Sequence, residues 1–221
     1  IHETPVKTIE IEQLQKLIDS GKIIEEDGFG VKVVRLTDDR YLKIFNHRPG
    51  ISMGKIFSRA KQFANNAKKL KQRGIITVGI LELFRTKNPT RDCVIYHGVP
   101  GETVRDILKE KPQDQELSKR LGAYIAELHN AGVMFRSLHF GNIVQLPTGE
   151  LSLIDIADMR VNVFKLNNWQ RERNFLHIFR YKIDVDSIDV SAFKSGYATD
   201  SLIKKTGLEQ AIDVAITKTT Q

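Results

Sequence analysis

The spacing of apolar positions changes several times along the chain, and each change marks an element. Ile9, Ile11, Leu14, Leu17 and Ile18 fall at near-helical spacing ahead of Gly21, so a short leading helix is expected over residues 8–20. Residues 23–46 then read as strands: Ile23-Ile24, a Gly28-Phe29-Gly30 turn, a run over 31–36, an Asp38-Asp39 turn, and a run over 41–45. Two hairpins in succession make a meander. Ile56, Ala60, Phe63, Ala67 and Leu70 recur at threes and fours before Gly74, which predicts an amphipathic helix over 52–73. Two more strands, 75–84 and 93–96 around a polar turn at 85–91, complete an expected five-stranded antiparallel sheet. His97-Gly98-Val99-Pro100-Gly101 is the expected hinge, because Gly and Pro punctuate a change of element.

The second half is patterned mainly for helices. A short one is expected near 103–108, and Asp114 caps a stronger one carrying Leu117, Leu121, Tyr124, Ile125 and Leu128 on one face before Gly132. Strands over 142–146 and 151–154 flank a Pro147-Thr148-Gly149 turn. Residues 168–181 mix Trp169, Phe175, Leu176 and Phe179 with Arg171, Arg173 and Arg180; the aromatics suit packing, and the arginines suit either solvent or phosphate. Two or three helices, one over 208–216, close the chain. The fold class is therefore α+β, with a sheet-rich domain over 1–97 and a mainly helical one over 98–221.

Composition narrows the function classes. A hydrophobic content of 41% over 221 residues supports a proper core. The single cysteine, Cys93, forms no intrachain disulfide, which points to a reducing compartment. No apolar run reaches the 18 or so residues of a membrane span, and no signal-like apolar region opens the sequence, so a soluble or peripheral protein is expected. The chain opens at Ile1, so the native beginning is expected upstream.

The net charge of +7 is uneven: residues 40–81 hold ten basic side chains and no acidic one, leaving 24 basic and 27 acidic elsewhere. Such a block is either a solvated helix face or a contact for phosphate, anionic lipid or nucleic acid. Nucleic acid is the weakest of these, since no recognised motif accompanies the charge.

The candidate chemistry lies between Phe135 and Asp158. Antiparallel pairing about the Pro147-Thr148-Gly149 turn brings Asn142, at the start of one strand, beside Asp155, at the end of the other. An amide oxygen next to a carboxylate suits Mg²⁺, which keeps most of its waters and takes one or two protein ligands.

This segment resembles the catalytic loop and metal-binding hairpin of the protein-kinase-like superfamily, H-R-D-L-x-x-x-N followed by D-F-G. Arg136, Leu138, Asn142 and Asp155 match, and His139 with Gly141 is similar to the H-x-D-L-H-x-G-N form of sugar and antibiotic kinases. Within that superfamily the whole chain looks most like the lipopolysaccharide-core kinases of Gram-negative bacteria, the Kdo and heptose kinases, with the toluene-tolerance-type members. Two lobes joined at the hinge are what this resemblance implies. Gly28 and Gly30 would cover the phosphates of ATP, Lys43 would hold them, and the backbone near Tyr96 would receive adenine. Asn142 and Asp155 would bind Mg²⁺. The acceptor would be lipopolysaccharide core or another phosphorylated glycolipid, and the protein would be cytoplasmic and peripheral to the anionic inner-membrane surface.

Ile156-Ala157 stands in place of Phe-Gly, and two positions of the loop itself depart from the pattern. Ser137 stands where the catalytic Asp belongs and Phe135 where the His does. The long helix also lacks the Glu that pairs with the strand lysine, leaving Gln62, Asn65 or Asn66 as neutral substitutes. His139, two residues beyond Ser137, is either a substitute base or a support for the loop, and Asp158 is a reserve carboxylate. Both an active kinase and a pseudokinase that binds nucleotide or partners therefore remain open.

Overall fold

The computed structural model describes residues 6–46, 53–198 and 207–220, the side chains of 53–58 apart. The fold is mixed α/β, and the chain divides into two units, Ile1–Lys68 with Val78–Gly98, and Lys69–Thr77 with Val99–Gln221. Residues 69–77, which the patterning assigned with 1–97, group with the second unit.

The first unit is built on a sheet of six strands: β1 (Val6–Ile9), β2 (Lys22–Asp27), β3 (Gly30–Arg35), β4 (Arg40–Phe45), β5 (Gly79–Thr86) and β6 (Asp92–His97), in the order β1-β5-β6-β4-β3-β2. This corrects the expected five antiparallel strands, since β1 joins the edge parallel to β5. Its Val-Lys-Thr-Ile sequence favours a strand, and the helix α1 (Ile11–Asp19) begins only where Gln13 accepts the Glu10 N–H at 2.9 Å. Strand β5 starts at Gly79, not at 75, because Thr77 bridges to Leu153 in the second unit instead. One sheet face buries Val34, Leu42, Ile44, Phe84, Cys93 and Ile95 beneath α1. The other carries Phe45 and Tyr96 against Phe63 of helix α2 (Met53–Gln72). Ser52, expected to open that helix, and Arg48 lie outside the described residues.

In the second unit the two-residue strand β7 (Glu102–Thr103) precedes α3 (Val104–Glu110), whose first turn is capped by Thr103, and α4 (Gln115–Asn130), capped by Asp114. Strand β8 (Val133–Phe135) pairs antiparallel with β11 (Met159–Val161). Between them β9 (Ile143–Gln145) pairs with β10 (Leu151–Leu153) on one side and with β7 on the other. Helices α5 (Asn168–Ile178), α6 (Lys182–Ser187), α7 (Val190–Tyr197) and α8 (Leu208–Thr220) follow. Close packing of α4 on α7 needs glycine: a Cβ at Gly122 would sit 2.0 Å from the Phe193 carbonyl oxygen, and one at Gly196 would sit 1.8 Å from that of Lys119.

A buried polar knot ties these helices to β8. His129 Nδ1 lies 2.8 Å from Tyr197 Oη and its Nε2 lies 3.1 Å from Asn174 Oδ1, while Asn174 Nδ2 donates to the Phe135 carbonyl. Burial, then the charge of Arg171, push the His129 pKa down to about 3, against the opposing bond to Asn174. The unfolded chain takes this proton near pH 6.5 and the folded chain does not. Stability is unaffected above that pH and is lost as pH falls below it. Between pH 6.5 and 4, His129 alone should remove about 1.4 kcal/mol per pH unit. Urea unfolding at pH 7 and pH 5 checks this, and a His129→Gln variant that stays folded should show a flatter profile.

Candidate active site

The loop after β8 is fixed by backbone first. Arg136 N–H donates to the Asp158 carbonyl at 3.2 Å, Asn142 N–H to that of His139, and Ile154 N–H to that of Asn142 at 3.0 Å. Asn142 closes a single 3₁₀ turn, Phe140–Asn142, just before β9, so it precedes the strand it was expected to open. The bond from Ile154 still sets Asn142 and the following Asp155 at the same end of the hairpin. Asn142 is buried and donates its Nδ2 to the Ser137 carbonyl at 2.8 Å, which leaves Oδ1 as the amide atom suited to a cation.

Asp155 has left-handed backbone, φ 51° and ψ 47°. A non-glycine residue held there costs about 1–2 kcal/mol, and such strain gathers where a side chain must be aimed for function. A carboxylate oxygen and an amide oxygen together are a hard donor set that fits Mg²⁺ and would leave it mostly hydrated. Among the described residues no three or more His, Cys, Asp or Glu are grouped so as to hold a metal ion.

Sequence pattern did not reveal what holds the loop from beneath. Asp184, at the start of α6 and fully buried, accepts Arg105 Nε at 2.7 Å, Arg105 Nη2 at 2.8 Å and the Phe140 N–H at 3.2 Å. Arg105 lies on α3, so one ion pair joins α3, α6 and the loop. Gly141 makes room for it, since a Cβ there would be 2.9 Å from Arg105 Nη1. No spacing rule joins residues 79 positions apart.

His139 belongs to this support. Its Nδ1 lies 3.4 Å from Arg105 Nη2 and its ring packs edge-on against Tyr181 at 5.1 Å. Arginine can only donate, so Nδ1 accepts and Nε2 carries the proton of the neutral ring. Burial, then Arg105 and Arg180, outweigh Asp184 and Asp155 and lower its pKa to about 4. A ring so acidic is a poor proton acceptor near neutrality. Ser137 Oγ makes no hydrogen bond to another described residue. Phe135, in the place of a polar residue, is wholly buried. Asp158 is exposed, and its backbone carbonyl accepts the N–H of Arg136, the sequence neighbour of Ser137.

In the first unit Lys43 is 8% exposed on the central strand β4, opposite the face that buries Leu42 and Ile44. Lysine is seldom so buried without a partner for its charge. On α2, Asn66 is buried, Gln62 half-buried and Asn65 exposed. At the β2–β3 turn, Asp27 Oδ1 accepts the Phe29 N–H, and Gly30, at φ +113°, is where glycine is required. Gly28 has no atom within 4 Å of a notional Cβ, so no packing demands its glycine. The Tyr96 ring stacks on Tyr41 and tilts against Phe63, so it packs the sheet.

No protein-family model matches the chain, and no curated protein does. Solved structures that match include the bifunctional kinase-methyltransferase WbdD, 15% identical over 86% of this chain, with a TM-score of 0.46. The chain spans about half of that protein, 47% of its length. A likeness this distant transfers no residue roles.

Proposed function

We propose that the chain is an ATP-dependent phosphotransferase with a protein-kinase-like fold, acting on a sugar hydroxyl of lipopolysaccharide core or another phosphorylated glycolipid. The observation that carries this is the hairpin end where Asn142 donates Nδ2 to the Ser137 carbonyl and accepts the N–H of Ile154, the residue before left-handed Asp155. The anionic inner-membrane surface would be where such an acceptor is met. Phosphoryl transfer asks mainly for positioning and charge neutralisation. Asn142 and Asp155 would hold Mg²⁺, and Lys43 with the Gly28–Gly30 turn would hold the nucleotide. The bound metal nucleotide would supply the phosphoryl group and neutralise its charge.

Ser137 orients the acceptor hydroxyl and cannot take its proton, because an alcohol does not ionise near neutrality. Asp158, whose backbone carbonyl accepts the Arg136 N–H, would be the reserve carboxylate. A missing general base slows transfer by about 10²–10⁴-fold without abolishing it.

Ser137→Asp should therefore keep nucleotide affinity and raise turnover by at least about tenfold, measured as labelled phosphate transferred to core oligosaccharide. A second reading, a pseudokinase that binds nucleotide or partners, is favoured by the low His139 pKa and by a helix without the usual glutamate. Nucleotide binding with no transfer by wild type or Ser137→Asp would select it.

A further inference from the structure

Among the described residues the basic side chains over 40–81 are put to several different uses. Arg40 pairs with Asp38, Lys43 is buried, Arg59 lies over the Phe45 ring and Arg73 donates to Asn162, which leaves Lys68, Lys69 and Lys71 exposed on α2. A different surface of the second unit combines charge with apolar side chains. Val163 and Phe164 are 86% and 80% exposed in the loop leading into α5, and Trp169 is 63% exposed on its first turn.

The outer row of α5 continues with Arg173 and Leu176, and Arg180 follows just past its end. The Arg173 guanidinium lies 5.3 Å over the Trp169 ring, and that of Arg180 lies 4.8 Å over Tyr181. The inner row, Arg171, Asn174, Phe175 and Ile178, is buried, so the outer row is free of the core. From Arg160 to Lys182 the only acidic residue is Glu172. Among the described residues Arg160, Lys165, Arg173 and Arg180 form no ion pair. After burial, the charges of Arg180, Arg136 and Arg173 also lower the His177 pKa, which shows that these cations share one region.

We infer that this surface docks on an anionic lipid bilayer, with Val163, Phe164 and Trp169 entering the headgroup boundary and Arg173, Arg180 and Lys165 lying against the lipid phosphates. Exposed aromatics alone would suit a protein partner, and cations alone would suit a nucleic acid. Their interleaving with almost no acidic residue fits a surface that is anionic above and apolar beneath. Among the described residues no helix is long and apolar enough to cross a membrane, so the contact is peripheral. This rests on the proposed meeting with an anionic membrane and names the surface that would make it, and it is tested without nucleotide so that either reading can fail alone.

Trp169 is the chain's single tryptophan and reports the contact directly. The full chain is mixed with vesicles of phosphatidylcholine alone or with phosphatidylglycerol, and sedimentation and Trp emission are followed at low and high salt. We expect binding and a blue shift with the anionic vesicles only, weakened by salt. Arg173→Glu with Arg180→Glu should weaken binding at least tenfold, since each cation near such a surface is worth roughly fivefold. Phe164→Ser should weaken it severalfold at every salt concentration. Lys68→Ala, Lys69→Ala and Lys71→Ala combined should leave the blue shift in place. Equal binding to both vesicles, sedimentation with unchanged Trp emission, or loss confined to the α2 lysine variant would overturn the assignment. So would tighter binding to single-stranded RNA than to anionic vesicles.

Discussion

Arg105→Ala should be among the most destabilising single substitutions in the second unit, lowering the unfolding free energy by about 3 kcal/mol or more. The reason is the group left behind. Asp184 is fully buried and would keep only the Phe140 N–H and nearby polar atoms for a carboxylate that now takes two charge-assisted bonds from Arg105. The same change frees His139 and the Phe140–Asn142 turn, so activity should fall more than the folded fraction alone explains. Lys182→Ala, which breaks the exposed pair with Asp186, is the control and should cost less than about 1 kcal/mol. Urea titration of both variants decides the matter, and equal losses would mean that the buried pair does not anchor the loop.

Asp155→Asn should have the opposite profile, with stability kept and activity lost. Asparagine matches the shape of aspartate and tolerates left-handed backbone as well, so φ 51° imposes no new strain. Its neutral amide is a far poorer Mg²⁺ ligand, and removing charge stabilisation of this kind costs about 10³-fold or more in turnover. The variant should melt within a few degrees of wild type and transfer no measurable phosphate. A variant that keeps at least a tenth of wild-type turnover would remove Asp155 from the metal site.

Most of the elements were legible because apolar spacing reports burial directly. The helix facing Leu117, Leu121, Ile125 and Leu128 inward, capped by Asp114, is one example. Strand β1 was not legible: Ile9 and Ile11 match helical spacing, and only pairing with residues more than 70 positions away makes Val6–Ile9 a strand. The same limit applies at the site. Ser137, Asn142 and Asp155 stand out because they fall within one short stretch of sequence, where Asn142 bonds the Ser137 carbonyl and the Ile154 N–H. Arg105, Asp184 and Asn174, which hold that loop in place, come from three helices and carry no local signal. Charge was the least legible property. A run of ten basic residues reads as one face, yet folding spends several of them on a buried strand position, a ring contact and a carbonyl.

Thermal unfolding of wild type against increasing Mg²⁺-ATP decides whether the chain binds the metal nucleotide, because a ligand at a hundred times its dissociation constant adds about 2.7 kcal/mol of stability. The midpoint should climb with Mg²⁺-ATP, climb less when Mg²⁺ is chelated, and barely move in Asp155→Asn. A midpoint that stays flat to millimolar Mg²⁺-ATP, with wild type and Asp155→Asn indistinguishable, would contradict that binding.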